Sequence, residues 1–351
     1  MGRQKIKKIT LCLLLFSLTL TLTVFLVLRY PQPVANLNNQ DTAQSIPLQI
    51  DTDQIHGIPL YIDHKYIGKS PLSTKLPPGK YRITAKPAGY VGSVRYLTLK
   101  PEDPADQKII LPVDQHNYQD FLDEITRLGY QPVRVMDYYD HVPLTKKTMV
   151  LRHDVDVSAA YALKLAEMEH AKGIKSTFYF RWSTADPQVI KAIRDMGDEV
   201  GLHYETLATY ALEHNLQSAQ EITPSVKEQL RERLKSEIAE FKQKFGDIST
   251  VSSHGADENI RLGVSNYQAI MKGQDPSDFG VIGEAYGEVT DHFTYMSDSG
   301  GFWEPFPYPQ LESDRGPFYF LIHPIHWASS FHFIHPVHVS SSFNKNLPLP
   351  R

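Results

Sequence analysis

Five short apolar runs in the second half of the chain end in polar residues of the same few kinds: TMVL in RHDVD, DEV in GLHYET, STV in SSHG, HFT in YMSDS and PFYF in LIHP. Segments with helical grammar lie between them. Successive parallel strands cannot be joined by a tight turn and need a crossover, so repeated strand and helix units imply a parallel sheet. About 210 residues hold seven or so units, which predicts a barrel, closed or nearly so, with polar strand ends gathered on one rim. A lone histidine at a strand end is more often structural than functional. Five polar ends on one rim reverse that expectation.

The connecting segments carry their own stop and start signals. Tyr118 to Leu128 places Phe121, Ile125 and Leu128 on one helical face before Gly129. Ser158 to Lys172 is the next helix, closed by Gly173. Asp186 precedes Pro187, and Thr223 precedes Pro224, the cap-then-proline order that opens a helix. The second of these runs through Val226, Leu230, Leu234, Ile238, Phe241 and Phe245 to Gly246.

Upstream the grammar differs. Ile9 to Leu28 is an uncharged apolar run preceded by Arg3, Lys5, Lys7 and Lys8, long enough to span a bilayer with the N-terminus in the cytoplasm. Residues 1–30 thus read as a signal anchor, with a cleaved signal peptide as the rival. Residues 31–49, rich in Pro, Asn, Gln and Ser, read as a linker. Short alternating strands fill residues 50–113, where Tyr81, Ile83 and Ala85 share a face. The segment LYIDHKYIGKSPLSTKLPPGKYRITAKPAGY resembles a PEGA domain, a small β-sandwich of bacterial and archaeal surface proteins; the resemblance implies a spacer or surface-binding module without catalysis. The net charge of -4 is spread evenly, which argues against nucleic acid as a partner. The single cysteine, Cys12, excludes a disulfide framework and a CxxC zinc site.

Period-two alternation in RHDVD places Arg152, Asp154 and Asp156 on one face and His153 and Val155 on the other. Two carboxylates there suit a division of labour, one for a metal and one for a proton from water; a pair of helix-cap aspartates before Ser158 is the plainer alternative. His203 ends its strand with Glu205 close behind, and His254 ends STVSSH. Imidazoles and a carboxylate make an open three-ligand set of the kind zinc uses for hydrolysis.

In order, GY at Gly129 and Tyr130, LRHDVD, STFYFRW, GDEVGLHYETL, SSHG, YMSDSG and LIHPIHW resemble the polysaccharide deacetylase superfamily, carbohydrate esterases with the NodB-homology fold, over residues 115–328. Within it they look like a divergent branch labelled as deacetylases. The resemblance implies a deformed (β/α)7 barrel, a divalent metal, an acetylated glycan substrate and amide hydrolysis. By it, Asp154 corresponds to the general base, Asp156 to the metal aspartate, His203 to a metal histidine, Asp298 to the acidic support and His323 to the general acid. The family's second metal histidine falls at Leu207, which cannot ligate. His254 is therefore expected as third ligand, with Glu205 as substitute, and the roles of Asp154 and Asp156 are open to reversal. Arg152 or Arg181 is expected to orient the base, and Trp182, Tyr204, Trp303 and Trp327 are candidates for stacking on sugar. The alternative is a non-catalytic glycan-binding or structural surface protein on a degenerate deacetylase barrel.

Ile322 to Phe331 (IHPIHWASSF) returns as Ile334 to Phe343 (IHPVHVSSSF). Only the first copy follows a strand, so His323 is the functional candidate, His326 a neighbour, and residues 329–351 a duplicated tail.

Overall fold

The computed structural model describes residues 45–330 except 53, 54, 105, 106, 114 and 314. The expected anchor over Ile9 to Leu28 and the second histidine copy lie outside the described residues. Among the described residues no helix is long and apolar enough to cross a membrane.

Seven strands form the first unit: β1 (Ile46–Asp51), β2 (Pro59–Ile62), β3 (Lys65–Lys69), β4 (Leu72–Leu76), β5 (Gly79–Ala85), β6 (Gly92–Leu99) and β7 (Gln107–Ile110). Strands β4, β1 and β7 make one sheet, and β6, β5, β2 and β3 make the other. Ile46, Leu48, Ile50, Leu60, Ile83, Ala85 and Ile109 form one buried cluster. The sequence places a linker as far as residue 49, whereas β1 starts at Ile46. Its period-two set of Ile46, Leu48 and Ile50 follows a polar run and gains meaning only from the partner strands on either side.

The second unit has strands β8 (Gln131–Val133), β9 (Thr148–Val155), β10 (Thr177–Phe180), β11 (Glu199–Tyr204), β12 (Thr250–Ser253), β13 (Gly283–Glu284), β14 (Thr294–Ser297), β15 (Phe302–Trp303) and β16 (Phe318–Ile322). Apart from β15 they form one sheet in the order β13-β12-β11-β10-β9-β16-β14, with β8 beside β9. Every pairing in it is parallel. Seven strands curl in barrel order, but β13 and β14 do not pair, so the sheet is open where a nearly closed barrel was expected. The cause lies in FGVIGEAYGEV. Gly280 and Gly287 adopt φ of 75° and 70°, and only two residues between them reach the ladder. Val135, Val150, Tyr179, Ala285, Val289 and Tyr319 form a separate buried cluster.

Helices cover the sheet as their caps dictate. Asn117 caps Tyr118–Arg127 through a reciprocal bond with Asp120, Asp186 accepts from the Gln188 and Val189 amides, and Thr223 caps Pro224–Phe245. Leu230, Leu234, Ile238 and Phe241 of the long helix join Phe178, Phe180 and Leu202 of the sheet in the main core. Each such side chain contributes about 1.5–3 kcal/mol by full burial. Gly201 is where β11 passes closest to its neighbours, since a Cβ there would lie 2.5 Å from both the Thr250 carbonyl oxygen and the Tyr179 ring. Strand β15 leaves the parallel sheet and pairs with β6 of the first unit, Phe302 opposite Gly92 and Trp303 opposite Ser93.

Candidate active site

Because the strands are parallel, their C-terminal ends meet at one rim. Asp156 follows β9 directly, His203 is the penultimate residue of β11, His254 follows β12, Asp298 follows β14 and His323 follows β16. The structure brings all of these together with Arg152 and Asp154 of β9. As alternation requires, His153 points away, into a buried pairing with Glu169 at 2.8 Å.

Asp156, His203 and His254 each offer a ligand atom within 4.8 Å of the other two, a group able to hold a metal ion. The donor chemistry fits. His203 Nδ1 lies 3.1 Å from the Ser252 carbonyl, which fixes the proton on that nitrogen and leaves the Nε2 lone pair free. That Nε2 is 3.5 Å from Asp156 Oδ1, and His254 Nε2 is 3.6 Å from the same oxygen. Asp156 Oδ1 is buried and has no hydrogen-bond partner, a costly state that a cation would relieve. Burial depresses the His203 ring to about 4 despite Asp154 and Asp156 beside it, so it is a neutral imidazole.

The two aspartates are unlike. Asp154 is clamped by Arg152, Nε to Oδ1 at 2.8 Å and Nη2 to Oδ2 at 2.6 Å. Burial would raise its carboxyl, but the guanidinium and the histidines outweigh burial and hold it at about 2. Arg152, itself fully buried, also donates to Ser252 Oγ at 2.6 Å and lies 4.2 Å from the Tyr286 ring centre. Of the two arginines considered from sequence, Arg152 thus takes Asp154, while Arg181 takes Glu205 at 2.9 and 2.7 Å.

Glu205 Oε1 is 3.0 Å from His254 Nδ1, at ion-pair distance though out of line for a hydrogen bond, since that nitrogen has no partner by geometry. Leu207 is wholly buried in the core, its amide bound to Asn266 Oδ1 at 2.7 Å. Asn266 also donates to the His254 carbonyl at 2.7 Å and so ties the loop after β12 to the helix after β11.

On the far side of β9, Asp298 is fully buried and accepts from the His323 amide at 3.0 and 3.1 Å. It also lies 2.7 Å from His323 Nδ1 and accepts from Trp327 Nε1 at 3.0 Å. Burial lowers the His323 ring, but Asp298 more than compensates and lifts it to about 9. The ring is therefore a cation near neutral pH, with Nε2 turned to Asp156 Oδ2 at 3.7 Å.

The aromatic candidates are corrected. Tyr204, Trp303 and Trp327 are buried core residues, whereas Trp182 stays half-buried, its ring against Phe241 and Phe245 of the long helix. Tyr267 and Tyr286 instead line, with Ser253, His254 and Lys272, a cleft of about 340 Å3. Both were missed: FGVIGEAY reads as a strand ending on Tyr286 but carries none of the His or Asp that mark the other strand ends, and Tyr267 sits on a short helix. Glu284 was missed too. Buried behind Tyr286, it is pushed up by burial to about 7 in spite of Arg152.

Comparison with known proteins gives a domain family for the first unit. Residues 45–115 match the PEGA domain model, as the sequence led us to expect. For the fold as a whole, one similar solved structure is the Xyl-CE4 domain of a multidomain xylanase from the hindgut metagenome of Trinervitermes trinervoides. It is 16% identical, with a TM-score of 0.30, over 52% of this chain and 78% of that one. Another is a CE4 family pseudoenzyme from Bacillus anthracis, 14% identical, with a TM-score of 0.32, over 72% and 76% of the two chains. A mutant of that pseudoenzyme with restored enzymatic activity is 14% identical, with a TM-score of 0.33, over 72% and 79%. At these identities and TM-scores no activity carries over. No curated protein matches the chain.

Proposed function

We propose that the parallel-sheet unit is a metal-dependent hydrolase that removes acetyl groups from amino-sugar glycans, cleaving a non-peptide amide C–N bond. The observation that carries this reading is convergence: an arginine-clamped carboxylate, Asp154, and an aspartate-clamped imidazolium, His323, both face the three-ligand group Asp156, His203 and His254. Asp156, with its unpartnered oxygen between two imidazoles, suits the ligand role; Asp154, with both oxygens held by Arg152, suits the base. Two imidazoles and one carboxylate are a donor set that zinc favours. When bound, a divalent ion supplies Lewis acidity to the acyl oxygen and lowers the pKa of the attacking water.

The chain's own residues supply the rest. Asp154 remains ionised and accepts the water proton at Oδ2, the oxygen 3.2 Å from His203 Nε2. Arg152 keeps that carboxylate from turning away. His323 gives the proton on Nε2 to the departing sugar nitrogen, and Asp298 holds the ring through Nδ1. Tyr267 and Tyr286 offer aromatic faces to a sugar in the cleft beside His254.

The acetyl group and the glycan are inferred from the order of the sequence motifs. The apolar run Ile9 to Leu28, with cationic residues before it, supports a single-pass anchor and an extracytoplasmic body acting on an envelope or exopolysaccharide glycan. The test is metal content by elemental analysis together with acetate release from N-acetylated oligosaccharides, wild type beside His323→Ala. One divalent ion per chain and turnover lost only in the variant are expected. Metal-free protein that binds the oligosaccharide without releasing acetate would favour the non-catalytic reading.

A further inference from the structure

We propose that the PEGA domain is a working part of the site: Lys86 and the β6 edge clamp the strap Ser299–Trp303, and the strap fixes Asp298 beneath His323. Lys86 is then a positioning residue; its catalytic consequence rests on the hydrolase reading above.

The strap is the segment between the end of β14 and β15. Its base is closed by the Ser297 and Glu304 backbones at 2.9 and 3.3 Å, and the Gly301 amide donates to the Asp298 carbonyl at 2.8 Å. The outer side of the strap lies on the first unit. Phe302 and Trp303 pair with Gly92 and Ser93 of β6, and Lys86 Nζ donates to the Gly301 carbonyl at 3.0 Å. The Phe302 ring sits beneath two cations, Lys86 Nζ at 4.6 Å and the Arg82 guanidinium at 5.0 Å.

Two glycines show how close the fit is. A Cβ on Gly92 would come within 2.6 Å of both the Ala85 carbonyl oxygen and the Phe302 ring, so only a glycine lets that ring lie on the β6 backbone. Gly301, at φ +81°, stands between Lys86 and the rim: a Cβ there would lie 2.0 Å from Lys86 Nζ and 3.3 Å from His326 Nδ1. A detached spacer requires neither constraint.

Two routes carry the clamp inward. One is the backbone, from Gly301 to the Asp298 carbonyl. The other is aromatic: buried Trp303 packs on Trp327 with ring centres 5.8 Å apart, and Trp327 donates to the Asp298 carboxylate. Burial lowers the pKa of the Lys86 ammonium while the charge of Asp298 opposes that shift, so the two charges sense one another.

Hydrogen exchange on the full chain decides the matter, comparing wild type, Lys86→Met, Lys86→Arg and Phe302→Ala, each checked for an unchanged melting transition and metal content. Loss of the clamp is expected to speed exchange about tenfold at the amides of Ser299 to Trp303 and of His323 in Lys86→Met and Phe302→Ala, with Lys86→Arg near wild type. Wild-type exchange rates in both variants would overturn the proposal. With an N-acetylated oligosaccharide as substrate, kcat is expected to fall about tenfold at constant KM; unchanged kcat beside faster exchange would overturn it as well. A wild type that never releases acetate sinks the hydrolase reading, and the exchange rates still decide the clamp.

Discussion

Glu205 Oε1 lies 3.0 Å from His254 Nδ1, behind the ring, while the opposite nitrogen, Nε2, stands 3.6 Å from Asp156 Oδ1. The glutamate that sequence left open as a substitute ligand thus stands outside the Asp156, His203 and His254 group, at ion-pair distance from the far nitrogen of His254. Burial would raise its carboxyl, but His254 and the Arg181 fork outweigh burial and hold it at about 2.

The two residues should therefore fail differently. His254→Ala is expected to abolish stoichiometric metal binding, because it removes one of three ligands. Glu205→Gln keeps all three and should weaken affinity by roughly 10- to 100-fold, as loss of an outer partner does. Calorimetric titration of the metal-stripped protein with zinc separates the cases. A Glu205→Gln variant as empty as His254→Ala would show that the carboxylate itself ligates.

Asp298→Asn should move a pH profile. His323 has its pKa raised to about 9 from the ordinary 6.5 by Asp298. Stability from this pair is fully present below 6.5 and is lost as pH rises through about 9. An acid catalyst is likewise active below its own pKa, so the alkaline limb of kcat should lie near 9 in the wild type. Without the aspartate charge, the main raising influence is gone while burial still lowers the ring, so the limb should move to lower pH. At mildly alkaline pH the rate should drop by about 100-fold or more, the contribution of a positioned general acid. A limb that stays put would remove His323 from the acid role.

Arg152→Met tests the clamp on Asp154. Both side chains are essentially buried, so the variant strands a carboxylate without its partner, a change that costs about 3–5 kcal/mol. Urea unfolding should show that loss with an unchanged m-value. The pH response should also invert. In the wild type Asp154 is held at about 2, below its ordinary 3.8, so its contribution is complete above 3.8 and is lost as pH falls towards 2. In the variant the unpaired carboxyl titrates above its ordinary value, and mild acidification should recover stability. Equal acid sensitivity in both proteins would mean that the pairing contributes nothing.

Sequence exposed whatever repeats along one element and hid what depends on a second. Arg152, Asp154 and Asp156 were legible as one face because alternation is a property of β9 alone, and His203, His254 and His323 because each terminates an apolar run. Glu205 could not be sorted into ligand or support, since that depends on Arg181 reaching it from the end of β10. The open seam was hidden for a related reason: FGVIGEAY has the composition of a strand, and only the positive φ at Gly280 and Gly287 cuts it to two residues. Tryptophans gave the wrong sign. Trp303 and Trp327 follow polar strand ends and look like sugar platforms, yet both are buried.

Trp327→Phe turns that correction into a measurement. The indole is 1% exposed, its ring centre lies 5.2 Å from Tyr118, and its Nε1 donates to Asp298 Oδ2 at 3.0 Å. Phenylalanine keeps most of the packing and removes only the donor. One hydrogen bond to a charged group is worth about 1.5–3 kcal/mol, so the variant should unfold at lower denaturant while remaining folded. Because the ring never meets solvent, KM for an oligosaccharide should not change, whereas kcat should fall as Asp298 loses one of the bonds that aim it at His323. Tyr286→Ala should behave in the opposite way, raising KM, since that ring lines the cleft beside His254. A higher KM in Trp327→Phe with kcat intact would return the tryptophan to the sugar-binding role its sequence position suggested.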